Sequence, residues 1–150
     1  MSEESAFLLH GLFNRPSLNF ILGTPGSKKT WLALDLAVSV ALGRGWLGYQ
    51  GPATSALYMD EELGLTAFQQ RLRSVFLARR AGPKTPFHFS SITRYDFAQS
   101  NDVEQLASQV RSVGAGLIVI DNLANSLPLM KGKGWGRGPS FDIPFAPCHC

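Results

Sequence analysis

The sequence predicts an α/β protein built on a parallel sheet, and three observations carry that expectation. Strand-like and helix-like segments alternate along the chain, the strand-like runs are apolar without polar alternation, and the first of them enters a Gly/Pro turn before a long apolar helix. Strands covered on both faces lack the alternating pattern of a half-solvated sheet, and helices between successive strands imply β-α-β crossovers. At 150 residues, 45% of them hydrophobic, the chain is long enough for one domain with a real core.

The elements follow in order. Leu18 to Leu22 reads as a short buried strand running into a turn punctuated by Gly23, Pro25 and Gly26. From Lys29 to Leu42 nearly every side chain is apolar except Asp35 and Ser39, which share one face four residues apart, so this helix is expected to be buried on most sides. Gly43 supplies a left-handed stop. Ser55 to Asp60 is a second strand, ending in Asp60-Glu61-Glu62. Leu65, Phe68, Leu72 and Phe76 recur at helical spacing and predict a second helix, closed by Gly82 and Pro83. Phe87 to Ile92 is a third strand. Asn101 and Glu104 have capping-box spacing ahead of Val103, Leu106, Ala107, Val110 and Val113, which predicts a third helix. Gly114 and Gly116 bracket the entry to a fourth strand, Leu117 to Asp121, an all-apolar run capped by a carboxylate.

Composition narrows the function classes. The charged fraction of 17% argues against a disordered chain. The formal charge of +3 is concentrated in the last twenty residues, where Lys131, Lys133 and Arg137 face Asp142 alone, so the body is nearly neutral and carries little basic footprint for nucleic acid. The two cysteines, Cys148 and Cys150, are too close to staple a fold and too few for a zinc site, which fits a reducing cytoplasm. Trp31 to Leu42 is about half the length of a bilayer span and contains Asp35, so no membrane segment is expected. The acidic start Met1-Ser2-Glu3-Glu4 lacks the basic flank of an export signal.

Chemistry is concentrated in one loop. Gly23-Thr24-Pro25-Gly26-Ser27-Lys28-Lys29-Thr30 follows G-x-x-x-x-G-K-[ST], the P-loop, whose backbone N–H groups and helix amino end surround phosphate oxygens. Lys29 takes the place of the lysine that reaches the β- and γ-phosphates, and Thr30 that of the hydroxyl ligand of Mg²⁺. Lys28 departs from the pattern by standing where the second glycine is expected. It costs about 1 kcal/mol if its backbone is left-handed, and adds a charge beside the phosphates. The bland alternative is a Gly/Pro turn ahead of a helix that happens to carry Lys-Lys-Thr.

Hydrolysis of a γ-phosphate also needs a held metal and an oriented water. Asp121, at the end of the fourth strand, suits the metal; otherwise it merely caps a turn. Glu62, just past the second strand, suits the water, with Glu61 as its close competitor and a plain solvated acidic turn as the alternative. Alternation along a strand points Asp60 and Glu62 the same way, a rule that weakens beyond the strand end.

With these residues in place the chain resembles the RecA-like P-loop ATPases, most nearly the RepA-type hexameric helicase group within the broader AAA-annotated proteins. The resemblance runs from about Leu18 to Leu127. It is carried by Ile21 to Thr30, Trp31-Leu32-Ala33-Leu34-Asp35-Leu36-Ala37, Gly43-Arg44-Gly45-Trp46-Leu47-Gly48, Ala56-Leu57-Tyr58-Met59-Asp60-Glu61-Glu62, Arg71-Leu72, and Leu117-Ile118-Val119-Ile120-Asp121-Asn122-Leu123. The resemblance implies a RecA-like core of about four strands with flanking helices, binding ATP with Mg²⁺, and, in full-length relatives, a hexameric ring coupled to DNA. It also implies that Glu62, two residues beyond an aspartate, polarises the attacking water. Finally, it implies that the Walker B strand lies between the P-loop strand and the second strand, so that Glu62 and Asp121 approach Thr30 from neighbouring strand ends.

Residues 1–17 are read as a lead-in, 18–127 as a partial RecA-like ATP-binding domain, and 128–150 as a Gly/Pro-rich tail, irregular or foreign to it. The stretch 131–150 holds four Gly and three Pro without periodicity. No γ-phosphate sensor, DNA-facing loop or arginine finger is recognisable, so the reading is of a C-terminally truncated domain. Leu18 to Leu22 would then be an exposed apolar edge, prone to aggregation or borrowed pairing. The expected function is Mg-ATP binding and ATP hydrolysis within a DNA-dependent ATPase or helicase. Two alternatives stand beside it: a small-molecule phosphotransferase of the nucleotide-kinase type, with Arg79 and Arg80 as its clustered lid candidates, and a non-catalytic remnant.

Overall fold

At the amino end of the computed structural model, which describes residues 6–126, two short strands, β1 (Phe7–Leu9) and β2 (Phe13–Asn14), pair as an antiparallel hairpin. There follow helix α1 (Lys29–Leu42), strand β3 (Ser55–Asp60), helix α2 (Leu65–Arg79), strand β4 (Phe87–Ser91), helix α3 (Ser100–Val113) and strand β5 (Ala115–Asp121). A 3₁₀ turn, Leu123–Ser126, completes the described chain. The strands form a parallel sheet in the order β4-β3-β5, with Ala56 opposite Phe87 and Leu117, and Asp60 opposite Ser91 and Asp121. This is an α/β fold of the kind expected, an incomplete RecA-like core. The sequence-based tail, residues 128–150, lies outside the described residues.

The middle strand explains the absence of polar alternation. Every residue of β3 from Ala56 to Asp60 is buried, because the strand has neighbours on both edges and helices packed on the sheet. Ala56 and Tyr58 share a core with Phe87 of β4 and with Ala33, Leu34, Ala37 and Val38 of α1; Phe68, Leu72, Val75 and Phe76 of α2 complete it. The hydrophobicity of α1 has a second cause. On another face Leu36 and Val40 meet Leu8, Leu9 and Trp46, so the amino-terminal hairpin, which no motif signalled, covers a side of the helix that would otherwise face water.

Asp35 and Ser39 are the polar face of α1, and both are used. Arg79, in the last turn of α2, donates from Nε and Nη2 to the two carboxylate oxygens of Asp35, while the Trp46 indole donates to Oδ2 at 3.1 Å. Hydrogen bonding to Asp35 holds the Arg79 guanidinium above its usual range. A planar fork on a carboxylate gives this pair geometric definition that a lone lysine would not. Ser39 Oγ donates to the Asp35 carbonyl at 2.6 Å.

Three local expectations need correction. Leu18 to Leu22 forms no strand, and Leu18, Phe20 and Leu22 are 82%, 61% and 86% exposed. The apolar run was legible, but a strand exists only when its backbone groups find partners. Here β5 pairs with β3 alone among the described strands, and Ile118 stays exposed. The third helix is not opened by an Asn101–Glu104 capping box. Gln99 is its N-cap, with no side-chain hydrogen bond, while the Asp102 carboxylate in the first turn accepts the Asp96 N–H at 2.8 Å. The helix therefore starts two residues earlier than the capping box would place it. The third strand ends at Ser91 rather than Ile92, whose φ of 53° is incompatible with continuing it.

Gly43 closes α1 as expected, with φ of 63° and its N–H returned to Val40 and Ser39. At the other end Lys28, the N-cap, has φ of 66°, the left-handed region that favours glycine. Replacing Lys28 with glycine is therefore expected to raise unfolding free energy by about 0.5–1 kcal/mol in urea titrations; a destabilised variant would contradict this account. Replacing Asp35 with alanine should cost about 1–2 kcal/mol, since it strands both the guanidinium and the indole N–H. Arg79→Ala in the same titrations should cost comparably, and the double variant should show the two effects to be non-additive.

Candidate phosphate-binding loop and acidic cluster

The segment from Gly23 to Thr30 is a compact loop ahead of α1. Ser27 N–H donates to the Thr24 carbonyl at 3.2 Å, Gly26 has φ of 81°, and Lys28 is left-handed, so the chain turns twice before entering the helix. The loop is tight at its first position, where an added side chain would have to displace the Ser27 hydroxyl. A Cβ on Gly23 would lie 2.6 Å from Ser27 Oγ. Lys29 folds back over this turn and donates from Nζ to the carbonyls of Gly23 at 2.8 Å and Thr24 at 2.9 Å, and more loosely to Ser27 Oγ at 3.4 Å. Its ammonium is thus tied to the loop's own carbonyls. Pro25 contributes no N–H to the loop.

The helix end suits an anion. The amino terminus of α1 has no side-chain cap and no acidic residue in its first turn, so its leading N–H groups and the positive end of its dipole are uncompensated by carboxylates. Together with the Lys29 ammonium, this donor set fits phosphate oxygens. A Mg²⁺ ion prefers one or two protein oxygens plus substrate phosphates, and Thr30 and Asp121 carry oxygens of the kind that could hold one.

Three consecutive carboxylates follow β3, and they are not equivalent. Asp60 is completely buried; its Oδ1 accepts the N–H groups of Leu63 at 2.8 Å and Glu62 at 3.3 Å, and its Oδ2 accepts Gly64 N–H at 3.0 Å and Ser91 Oγ at 2.7 Å. Glu61 is also buried and ties down the segment after β4, accepting from the N–H and hydroxyl of Thr93 and from Arg94 N–H at 2.8 Å. Glu62 alone is exposed, and its Oε2 accepts from Asn122 Nδ2 at 3.2 Å. The loop geometry explains the split. By taking three successive N–H groups, Asp60 wraps residues 62–64 around itself and turns the Glu62 side chain outward.

Asp121 ends β5 directly opposite Asp60, and its Oδ2 accepts the Tyr58 hydroxyl at 2.8 Å. The carbonyl of Asp121 accepts Glu61 N–H at 2.6 Å, which draws the two strand ends together. The structure therefore brings Glu62 and Asp121 to adjacent strand ends, with Asn122 between them. The strand that should carry the loop to the same sheet edge is absent, because Leu18 to Leu22 is not paired.

Motif reading passed over two participants. Tyr58 and Asn122 lie inside runs that resemble the RecA-like proteins, yet only their cross-strand hydrogen bonds reveal what they touch. A tyrosine in a strand of apolar residues was the available signal, since a buried phenol needs a partner. Arg71, another residue of that resemblance, lies over the Trp31 ring at 5.5 Å and joins α2 to the start of α1. Of the arginines weighed for an acceptor lid, Arg79 is committed to Asp35, and Arg80 is the C-cap of α2.

Among the described residues, no helix is long and apolar enough to cross a membrane. No curated protein and no solved structure matches the chain. The family model of the AAA domain matches residues 3–132, most of the length, and takes in the loop, the acidic cluster and Asp121 alike. The chain belongs to the AAA-domain family of P-loop ATPases.

Proposed function

We infer that the chain binds Mg-ATP at Gly23 to Thr30 and hydrolyses it, as the nucleotide-binding part of a RecA-like, RepA-type ATPase coupled to DNA. The observation that carries this reading is the division of labour among the carboxylates. Asp60 and Glu61 are saturated with hydrogen bonds, whereas Glu62 is exposed and lies next to the strand end that bears Asp121. A carboxylate that is to take a proton from water must keep a free oxygen.

In this mechanism Lys29 exchanges its loop carbonyls for phosphate oxygens, and the N–H groups of Gly26, Ser27, Lys28, Lys29 and Thr30 surround them. Thr24 and Pro25 shape the turn. The Thr30 hydroxyl and Asp121 would hold Mg²⁺, which would supply positive charge to offset that developing on the phosphates. Glu62 accepts a proton from water as its oxygen attacks the γ-phosphorus and the bond to the β–γ bridging oxygen breaks, leaving ADP and inorganic phosphate. Lys28 adds a second cation beside the phosphates. The coupling to DNA and the hexameric ring rest on the motifs of the RepA-type resemblance; single-stranded DNA should accelerate phosphate release, and ATP should shift the chain to a ring on light scattering.

Labelled ATP should bind saturably, and Lys29→Ala should weaken binding at least tenfold, roughly the effect of removing a charged phosphate donor. No saturable binding at millimolar nucleotide would leave the non-catalytic remnant as the reading. Transfer of phosphate to a small-molecule acceptor instead of water would favour the phosphotransferase. The two neighbouring glutamates should separate cleanly. Glu62→Gln should lower turnover by roughly 100-fold or more while ATP still binds. Glu61→Gln should instead lower unfolding free energy by about 1–3 kcal/mol, because a buried amide cannot accept all the bonds the carboxylate accepts.

A further inference from the structure

Tyr58 sits mid-strand in β3, opposite Val119 of β5, and its phenol reaches two residues along the neighbouring strand to Asp121. The residue is fully buried, and its ring packs on Phe68 and Phe87 with centroids 5.2 and 6.3 Å away. A ring held in a close-packed core cannot swing, so the hydroxyl is delivered to one place. Packing by itself does not call for that hydroxyl. Phenylalanine would fill the same space without the cost of desolvating an O–H, and the hydroxyl is directed to a carboxylate, not to a backbone group.

We propose that Tyr58 is a positioning residue for Mg²⁺ in the ATP complex: by holding Asp121 Oδ2 it fixes the carboxylate and leaves Oδ1 for the cation. The assignment rests on the Mg-ATP reading above. Asp121 lies at the end of β5, where a side chain without a partner is free to rotate, and the bond from Tyr58 of β3 holds its carboxylate in one orientation. Orienting partners of this kind change metal affinity by about 10–100-fold when removed, because the ligand must be reordered each time the metal binds.

The test uses the full chain with a fluorescent ATP analogue, titrated with Mg²⁺ and also measured in EDTA. Tyr58→Phe should raise the half-saturating Mg²⁺ concentration by roughly tenfold, while affinity in EDTA shifts less than twofold. In a cycle with Asp121→Asn the two effects should not add, since both act through one carboxylate. A half-saturation within twofold of the parent, in a variant with unchanged circular dichroism, overturns the role. So does an equal loss of affinity with and without Mg²⁺, the mark of a merely structural tyrosine. If the parent chain binds no nucleotide, the Mg-ATP reading falls and takes the role with it; if the parent binds with Mg²⁺ dependence and the variant matches it, only the role falls. Should Tyr58→Phe not fold, ring-labelled tyrosine in the parent chain replaces it, with Tyr49 and Tyr95 substituted for assignment. The Tyr58 Cζ resonance should move when Mg²⁺ joins the ATP complex, and a resonance that stays put overturns the role.

Discussion

The buried carboxylate of Asp60 is the constraint on which the site depends. Placed at the carboxyl end of the central strand and removed from water, it has to be satisfied by fixed donors, and it recruits the N–H groups of residues 62, 63 and 64 together with the Ser91 hydroxyl. One group thereby ends β3, shapes the loop into α2 and ties that loop to β4. The same wrapping decides which of the next two glutamates is available. Glu61 turns inward to the segment after β4, and Glu62 turns out towards Asn122.

The phosphate loop is organised by a different balance. Its helix, α1, is held on two faces by apolar contacts, to the sheet with α2 and to the hairpin with Trp46. Burial of that extent fixes the helix firmly enough for its amino end to carry a residue in a disfavoured conformation. Lys28 takes the left-handed turn that glycine would take more cheaply, a strain of the order of 1 kcal/mol that the packed helix offsets. The Asp35–Arg79 pair adds orientation rather than bulk stability, locking the far end of α2 to the middle of α1. The P-loop therefore stands on a rigid support even though the segment before it lacks one.

That missing support is the open side of the molecule. On the sheet, β5 has a strand partner on one side only among the described residues, and its outward residues and the half-buried apolar residues of α3 reflect it. The apolar run before the loop remains exposed. In consequence the two halves of the site are held differently: the acidic residues by hydrogen bonds between strand ends and the loops that follow them, the Gly23–Thr30 loop through its helix.

By itself the sequence determined the α/β class, the helix of residues 29–42, the strand of residues 55–60 and the turn of residues 23–28 ahead of that helix. These are local: apolar periodicity, a left-handed glycine and a lysine after a tight turn act within a few residues of one another. Lys28 was legible as a departure, though its strain could be read only from its φ. Only the tertiary structure decided what depended on partners far along the chain. The hairpin on α1, the failure of Leu18 to Leu22 to pair, the commitment of Arg79 to Asp35 and the bonds Tyr58–Asp121 and Asn122–Glu62 all join residues with no local signal for each other. Two adjacent glutamates of the same chemistry look alike in a sequence. They differ here because a buried aspartate must first find its hydrogen bonds, and the chain that supplies them can face only one glutamate to water.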